Sequence, residues 1–121
     1  MSWIYNQSNG SLSHNGVLVG VGYSGFETGE NNPTLQNEQN IGPIPQGEWT
    51  IVGVPFDSPD HGPYCLRLEP QPGTDTFGRG GFLIHGDSII HPGLASKGCI
   101  IMLHAVRISI WESNDKELSV T

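Results

Sequence analysis

Apolar residues along this chain come in short runs broken every few positions by Gly, Asn, Pro or Ser, a spacing that suits strands and tight turns. Trp3-Ile4-Tyr5-Asn6-Gln7 predicts a strand, Ser8-Asn9-Gly10 a turn, and Ser11-Leu12-Ser13-His14 the returning partner. A second Asn-Gly turn at Asn15-Gly16 leads into the apolar run of residues 17–23, which predicts a meander of three antiparallel strands. Residues 24–40 are polar and broken by Gly25, Gly29 and Pro33, so they predict a surface loop with one helical turn at residues 34–38.

Gly42-Pro43-Ile44-Pro45-Gln46-Gly47 is a stiff entry into residues 48–54, where apolar and polar positions alternate as in a half-buried strand. Residues 64–68 predict another strand, between loops over residues 55–63 and 70–81. Phe82-Leu83-Ile84-His85 is continuously apolar up to its histidine, the pattern of a buried central strand that carries His85 to the end of a sheet. After Cys99-Ile100-Ile101-Met102 comes the one sizeable helix, residues 103–112, with Leu103, Val106 and Ile110 on one stripe. Residues 117–121 predict a final edge strand, with Trp49 and Trp111 in the core. The fold expected is therefore a single mainly β domain over residues 1–121.

Composition sharpens this in two respects. Charged residues are sparse and the net charge is −7, which argues against nucleic acid and anionic membranes as partners. No apolar run is long enough to span a bilayer, and Met1-Ser2-Trp3-Ile4-Tyr5 lacks the basic start and apolar core of a secretory signal, so export by that route is not expected. Cys65 falls in an alternating strand run and predicts a buried thiol, not a disulfide with Cys99.

The chemistry concentrates in Gly81-Phe82-Leu83-Ile84-His85-Gly86-Asp87-Ser88 and Ala95-Ser96-Lys97-Gly98-Cys99. An unperturbed thiol is only a few per cent ionised at neutral pH, so Cys99 needs a base or a cation, and His85 at the end of the apolar run could supply either role. Gly98 lets neighbouring N–H groups turn toward a developing oxyanion. These parts suit acyl transfer through a thioester, with water or an amine as acceptor. Lys97 and Arg79 are the cations closest to the motif, and either could meet a substrate carboxylate. Tyr23 and Phe26 are candidates to line the groove. His91 belongs to a turn, His14 and His61 lie in predicted turns without a role, and His104 near the helix start has no account.

The order His85-Gly86-Asp87-Ser88 and then Ser96-Lys97-Gly98-Cys99 resembles the signature of L,D-transpeptidases, which act on the tetrapeptide stem of peptidoglycan. Upstream, Asn31-Asn32-Pro33 and the run from Asn40-Ile41-Gly42-Pro43 to Gly47-Glu48-Trp49 narrow the resemblance to a compact branch of type VI secretion effectors with L,D-transpeptidase and L,D-carboxypeptidase activity. The resemblance covers Tyr23 to the C-terminus. It implies a compact β-sandwich or barrel with one helix after the catalytic Cys, Cys99 as nucleophile, His85 as base, and the N–H groups of Gly98 and Cys99 at the oxyanion. Asp87 and Ser96 match motif positions and would fix His85 and the loop. Lys97 stands where larger L,D-transpeptidases usually have a His, Ile101 where many have an Arg, and the interval between His85 and Ser96 is shorter. No metal or cofactor is implied. The partners implied are a peptidoglycan stem peptide, a cognate immunity protein and a component of the secretion machine. The chain would be made in the cytoplasm and act in the periplasm of a target bacterium.

Two other classes fit the same residues. A zinc-dependent peptidase would use His85, Asp87, His91 and Cys99 as its ligand pool. A non-catalytic wall-binding module would keep the scaffold and lose nothing on removal of the thiol.

Overall fold

The computed structural model describes residues 2–121. Its strands are β1 (Trp3–Tyr5), β2 (Ser11–His14), β3 (Val17–Val21), β4 (Tyr23–Ser24), β5 (Gly47–Ser58), β6 (Gly62–Pro70), β7 (Leu83–His85), β8 (Ile100–Ile101) and β9 (Glu117–Val120), with one α-helix, α1 (His104–Glu112), among the described residues. All nine strands belong to one sheet in the order β3-β2-β1-β9-β5-β6-β7-β8-β4. The domain is mainly β, as the turn-punctuated sequence predicts.

The outermost strands, β3 and β4, are consecutive in the chain and separated only by Gly22, so the sheet curls until its ends meet. Glycine makes that closure possible. A Cβ on Gly22 would lie 1.7 Å from the Ile101 carbonyl oxygen, and one on Gly10 would lie 1.9 Å from the Gly22 oxygen. The backbones instead touch directly, with the Gly22 N–H donating to the Gly10 carbonyl at 2.8 Å.

The N-terminal meander forms as expected, with β1 and β2 paired Ile4↔Ser13 and β2 and β3 paired His14↔Val17. Three expectations need correction. The last strand is not an edge: β9 lies between β1, which it pairs in parallel, and β5, which it pairs antiparallel, and this buries Leu118 and Val120. Residues 55–63 are not a plain loop, because β5 runs on to Ser58 and β6 starts at Gly62. Register shifts on either side of Phe56 let Pro55 sit in a strand without a ladder donor. Leu103 is not on the buried helical stripe; it caps the helix and is 75% exposed, while Arg107 joins Val106 and Ile110 in the interior. The predicted turn at residues 34–38 appears as a 3₁₀ turn over Pro33–Leu35, capped by the Asn32 side chain on the Thr34 N–H.

The core gathers Trp3, Tyr5, Leu12, Trp49, Ile84 and Ile100 with Val106 and Ile110 from the helix. Trp49 is buried as expected, and Trp111 packs against this core from a partly buried position under Lys116. Tyr64, at the start of the β6 ladder, has a φ of +57°, a conformation that costs a bulky residue about 1–2 kcal/mol. Its N–H donates to Asp57 Oδ1 at 3.2 Å, and its carbonyl and that of Pro63 accept from Arg107 at 3.1 and 2.8 Å.

Candidate active site

Parallel pairing of β7 with β8 builds the site. Ile84 faces Ile100 and His85 faces Ile101, which puts Cys99, immediately before β8, level with Leu83. Side chains two apart in a strand share a face, so Cys99 and His85 emerge on the side opposite the core residues Ile84 and Ile100. Strands about 4.8 Å apart and an offset of about 6.6 Å along the chain set the two Cα atoms roughly 8 Å from each other. Both side chains line a groove of about 1600 Å³, with Tyr23, Phe26, His61 and Lys97 among its walls.

His85 is buried, and its Nδ1 lies 2.8 Å from the Gly86 carbonyl oxygen. A carbonyl can only accept, so Nδ1 carries the proton and Nε2 of the neutral ring holds the free lone pair. Nε2 is buried without a partner among the described residues. Burial holds the His85 pKa below the usual histidine value, helped by His61 and Arg107 and opposed by the Gly86 carbonyl and Asp87.

Cys99 is half-buried, and its Sγ has the Gly81 carbonyl oxygen as a weak acceptor at 3.8 Å. Burial pushes the thiol up to about 11; the Leu83 N–H and Arg79 pull it down, and Cys65 raises it further. The resting pair is therefore thiol and imidazole, both neutral. At that value only about one thiol in ten thousand is ionised at pH 7, so the proton must leave during the attack.

The loop before Cys99 is held by Ser96, which is fully buried. Its Oγ accepts from the Gly25 N–H at 2.9 Å and the Gly98 N–H at 3.1 Å, and donates to the Cys99 carbonyl at 2.6 Å. The Gly98 N–H is thereby committed, which departs from the expected pair of oxyanion donors. The Cys99 N–H makes no hydrogen bond among the described residues and is the one left for an oxyanion. Gly98 itself has φ +132°, and a Cβ there would lie 2.5 Å from Arg79 Nη2. Ser24, which drew no notice in the sequence, braces the same loop: its buried Oγ donates to the Gly98 carbonyl and accepts from the Ile44 N–H.

The remaining expected residues divide by what they touch. Asp87 does not hold His85; Oδ1 accepts from Tyr23 Oη at 2.6 Å and from the Ser88 and Gly93 N–H groups, so it fixes the Ser88–Gly93 loop. Tyr23 Oη in turn accepts from the Ala95 N–H at 3.0 Å. Arg79 faces inward, buried on Phe82, and donates to the carbonyls of Gln36, Gly42, Pro43 and Lys97. It ties the Gly42-Pro43 entry to the nucleophile loop. Of the five Lys and Arg residues, Arg107 is likewise spent on carbonyls, Arg67 stacks on Phe56 and Lys116 on Trp111. Lys97 alone is exposed on the groove wall with no such partner among the described residues.

His85, Asp87, His91 and Cys99 do not form a metal-ligand set, since no three His, Cys, Asp or Glu converge among the described residues. Cys65 is a buried free thiol, as expected. His91 sits in a turn, its carbonyl accepting from the Leu94 N–H, and His104 leans on Tyr64. Arg107 and His61 were not foreseen at the site, because the contacts that place them there run between segments more than twenty residues apart.

A family model described as the Tlde1 domain matches residues 20–120, which include every element of the site. The chain belongs to the Tlde1 domain family. That family consists of type VI secretion effectors, so the chain is an antibacterial effector domain of that system. No curated protein and no solved structure matches it. No helix among the described residues is long and apolar enough to cross a membrane.

Proposed function

We propose that this Tlde1 domain is a cysteine acyltransferase acting on peptidoglycan tetrapeptide stems, an L,D-carboxypeptidase, an L,D-transpeptidase exchanging the terminal D-Ala, or both. The observation that carries the reading is the β7–β8 register, which sets a thiol and a correctly protonated imidazole on one wall of a groove. Cys99 Sγ gives its proton to His85 Nε2 as the sulfur attacks the meso-diaminopimelate carbonyl carbon. The oxygen of the tetrahedral intermediate takes the negative charge and accepts from the Cys99 N–H. On collapse the C–N bond breaks, and His85 returns the proton to the departing D-Ala amine. Water or the amine of a D-amino acid then attacks the thioester carbonyl, with His85 removing the acceptor's proton; the C–S bond breaks, and His85 passes that proton to the departing Cys99 sulfur.

Gly98 is needed because a side chain there would displace Arg79, whose charge pulls the Cys99 thiol pKa down. Lys97 is the cation free to meet a stem carboxylate, and Tyr23 and Phe26 shape the groove wall. In this reading Arg79 positions the nucleophile loop instead of binding substrate. The domain acts in the periplasm of a target cell after delivery, and the producer carries an immunity protein against it. Purified protein and its Cys99→Ala variant incubated with tetrapeptide muropeptides provide the test, with products identified by mass spectrometry. Conversion by the wild type and none by the variant is expected; unchanged tetrapeptide with both sinks the proposal.

A further inference from the structure

We infer that His61 is a positioning residue for the base: from the tip of the β5–β6 hairpin its ring lies over His85 and fixes the orientation of that imidazole. The two ring centroids are 4.4 Å apart with planes 28° from parallel. The role depends on His85 being the base of the proposed reaction, but the contact itself does not.

His85 needs such a constraint. Its ring has one polar anchor, the Gly86 carbonyl on Nδ1, while Nε2 has no partner among the described residues. A single hydrogen bond to the next residue leaves the ring free to swing about its Cβ–Cγ bond, and an overlying ring removes that freedom.

The hairpin is built to hold His61 in place. Ser58 Oγ accepts from the N–H groups of Asp60 and His61, both at 3.2 Å, closing the tip into a side-chain turn. The positive φ of Tyr64 bends β6 just below the tip, and Arg107 grips the Pro63 and Tyr64 carbonyls that the bend presents. The same guanidinium packs on Gly86, where a Cβ would lie 2.9 Å from Nη2. Arg107 therefore fixes the hairpin and the Nδ1 acceptor of His85 against each other. Strain held by a buried cation beside a groove is a common mark of a segment whose position matters to function.

The groups around His85 are His61 from the hairpin, Arg107 from α1, Cys65 from β6, Cys99 before β8 and Asp87 from its own loop. Only His61 covers the ring as a flat plate at the solvent side. Its loss would admit water to that face and raise the pH at which His85 takes a proton.

The test is a ¹⁵N NMR titration of the His85 ring in wild type, His61→Ala and His61→Phe, with muropeptide kinetics alongside. His61→Ala should move the His85 titration upward toward the ordinary histidine value and lower kcat on the order of tenfold with KM little changed. His61→Phe restores a flat ring without the imidazole and should recover both within about twofold. His61→Ala with a wild-type His85 titration, or His61→Phe behaving like His61→Ala, would overturn the inference. A wild type without turnover would count against the peptidoglycan reading alone, leaving the titration to judge His61.

Discussion

Ser96→Ala is the substitution whose cost can be worked most fully from the structure. Removing the hydroxyl strands three backbone groups at once, the N–H groups of Gly25 and Gly98 and the carbonyl of Cys99, around a side chain with no solvent exposure. Each buried, unpaired group costs about 1–3 kcal/mol, and the hole left by one oxygen is too small for a well-bonded water. Taking the low end for each, the loss is about 3 kcal/mol, a large part of the roughly 5–15 kcal/mol that holds a domain together. With a urea slope near 2 kcal/mol per molar, the unfolding midpoint should fall by about 1.5 M. Ser88→Ala is the internal control. Its hydroxyl accepts only from the His91 N–H, at the surface, and its loss should stay within about 0.5 kcal/mol. Urea melts of the two variants followed by tryptophan fluorescence decide the matter. Equal midpoints for Ser96→Ala and Ser88→Ala would refute the idea that Ser96 is the brace of the nucleophile loop.

Three other outcomes follow from charged and titratable groups, two at the groove and one at the His14–Asp115 pair away from it. Alkylation of Cys99 by a small reagent should still be climbing at pH 9, because burial lifts the thiol to about 11; a plateau by pH 8 would mean that an ion pair exists at rest. Lys97→Glu should raise KM for muropeptides on the order of tenfold and leave Cys99 alkylation intact, whereas an unchanged KM would remove Lys97 from substrate binding. Burial pushes Asp115 up, but hydrogen bonds from His14 and the Glu117 N–H outweigh it and hold its carboxyl below the usual range. A depressed carboxyl stabilises the fold above its unfolded value, about 3.9, and that contribution disappears as pH falls through the lower folded value. Asp115→Asn should therefore flatten the acid side of the stability curve, and superimposed wild-type and variant slopes would contradict it.

Local signals in the sequence carried the strands that local signals control. Ser11–His14 sits between two Asn-Gly turns and forms where predicted, and the apolar run ending in His85 becomes a central strand. His85 and Cys99 stood out by their glycine-flanked motifs, but what brings them side by side is the parallel pairing of β7 with β8, which no local signal announces. What escaped depends on long-range partners. β9 pairs with β1 across the whole length of the chain, so the alternating run of residues 117–121 looked like an edge. Arg79, expected to meet a substrate carboxylate, and Arg107, which carries no local signal, both owe their places to carbonyls that only the fold supplies. His61 looked like a turn residue because nothing local indicates that the turn lands on His85.

The most direct measurement is the intact mass of the protein during turnover of a tetrapeptide stem, with rapid acid quenching. The account predicts a transient adduct equal to the acyl tripeptide, mapped to Cys99 and absent from Cys99→Ala. Turnover with no adduct at Cys99, or product formation by Cys99→Ala at the wild-type rate, would contradict covalent catalysis at this thiol.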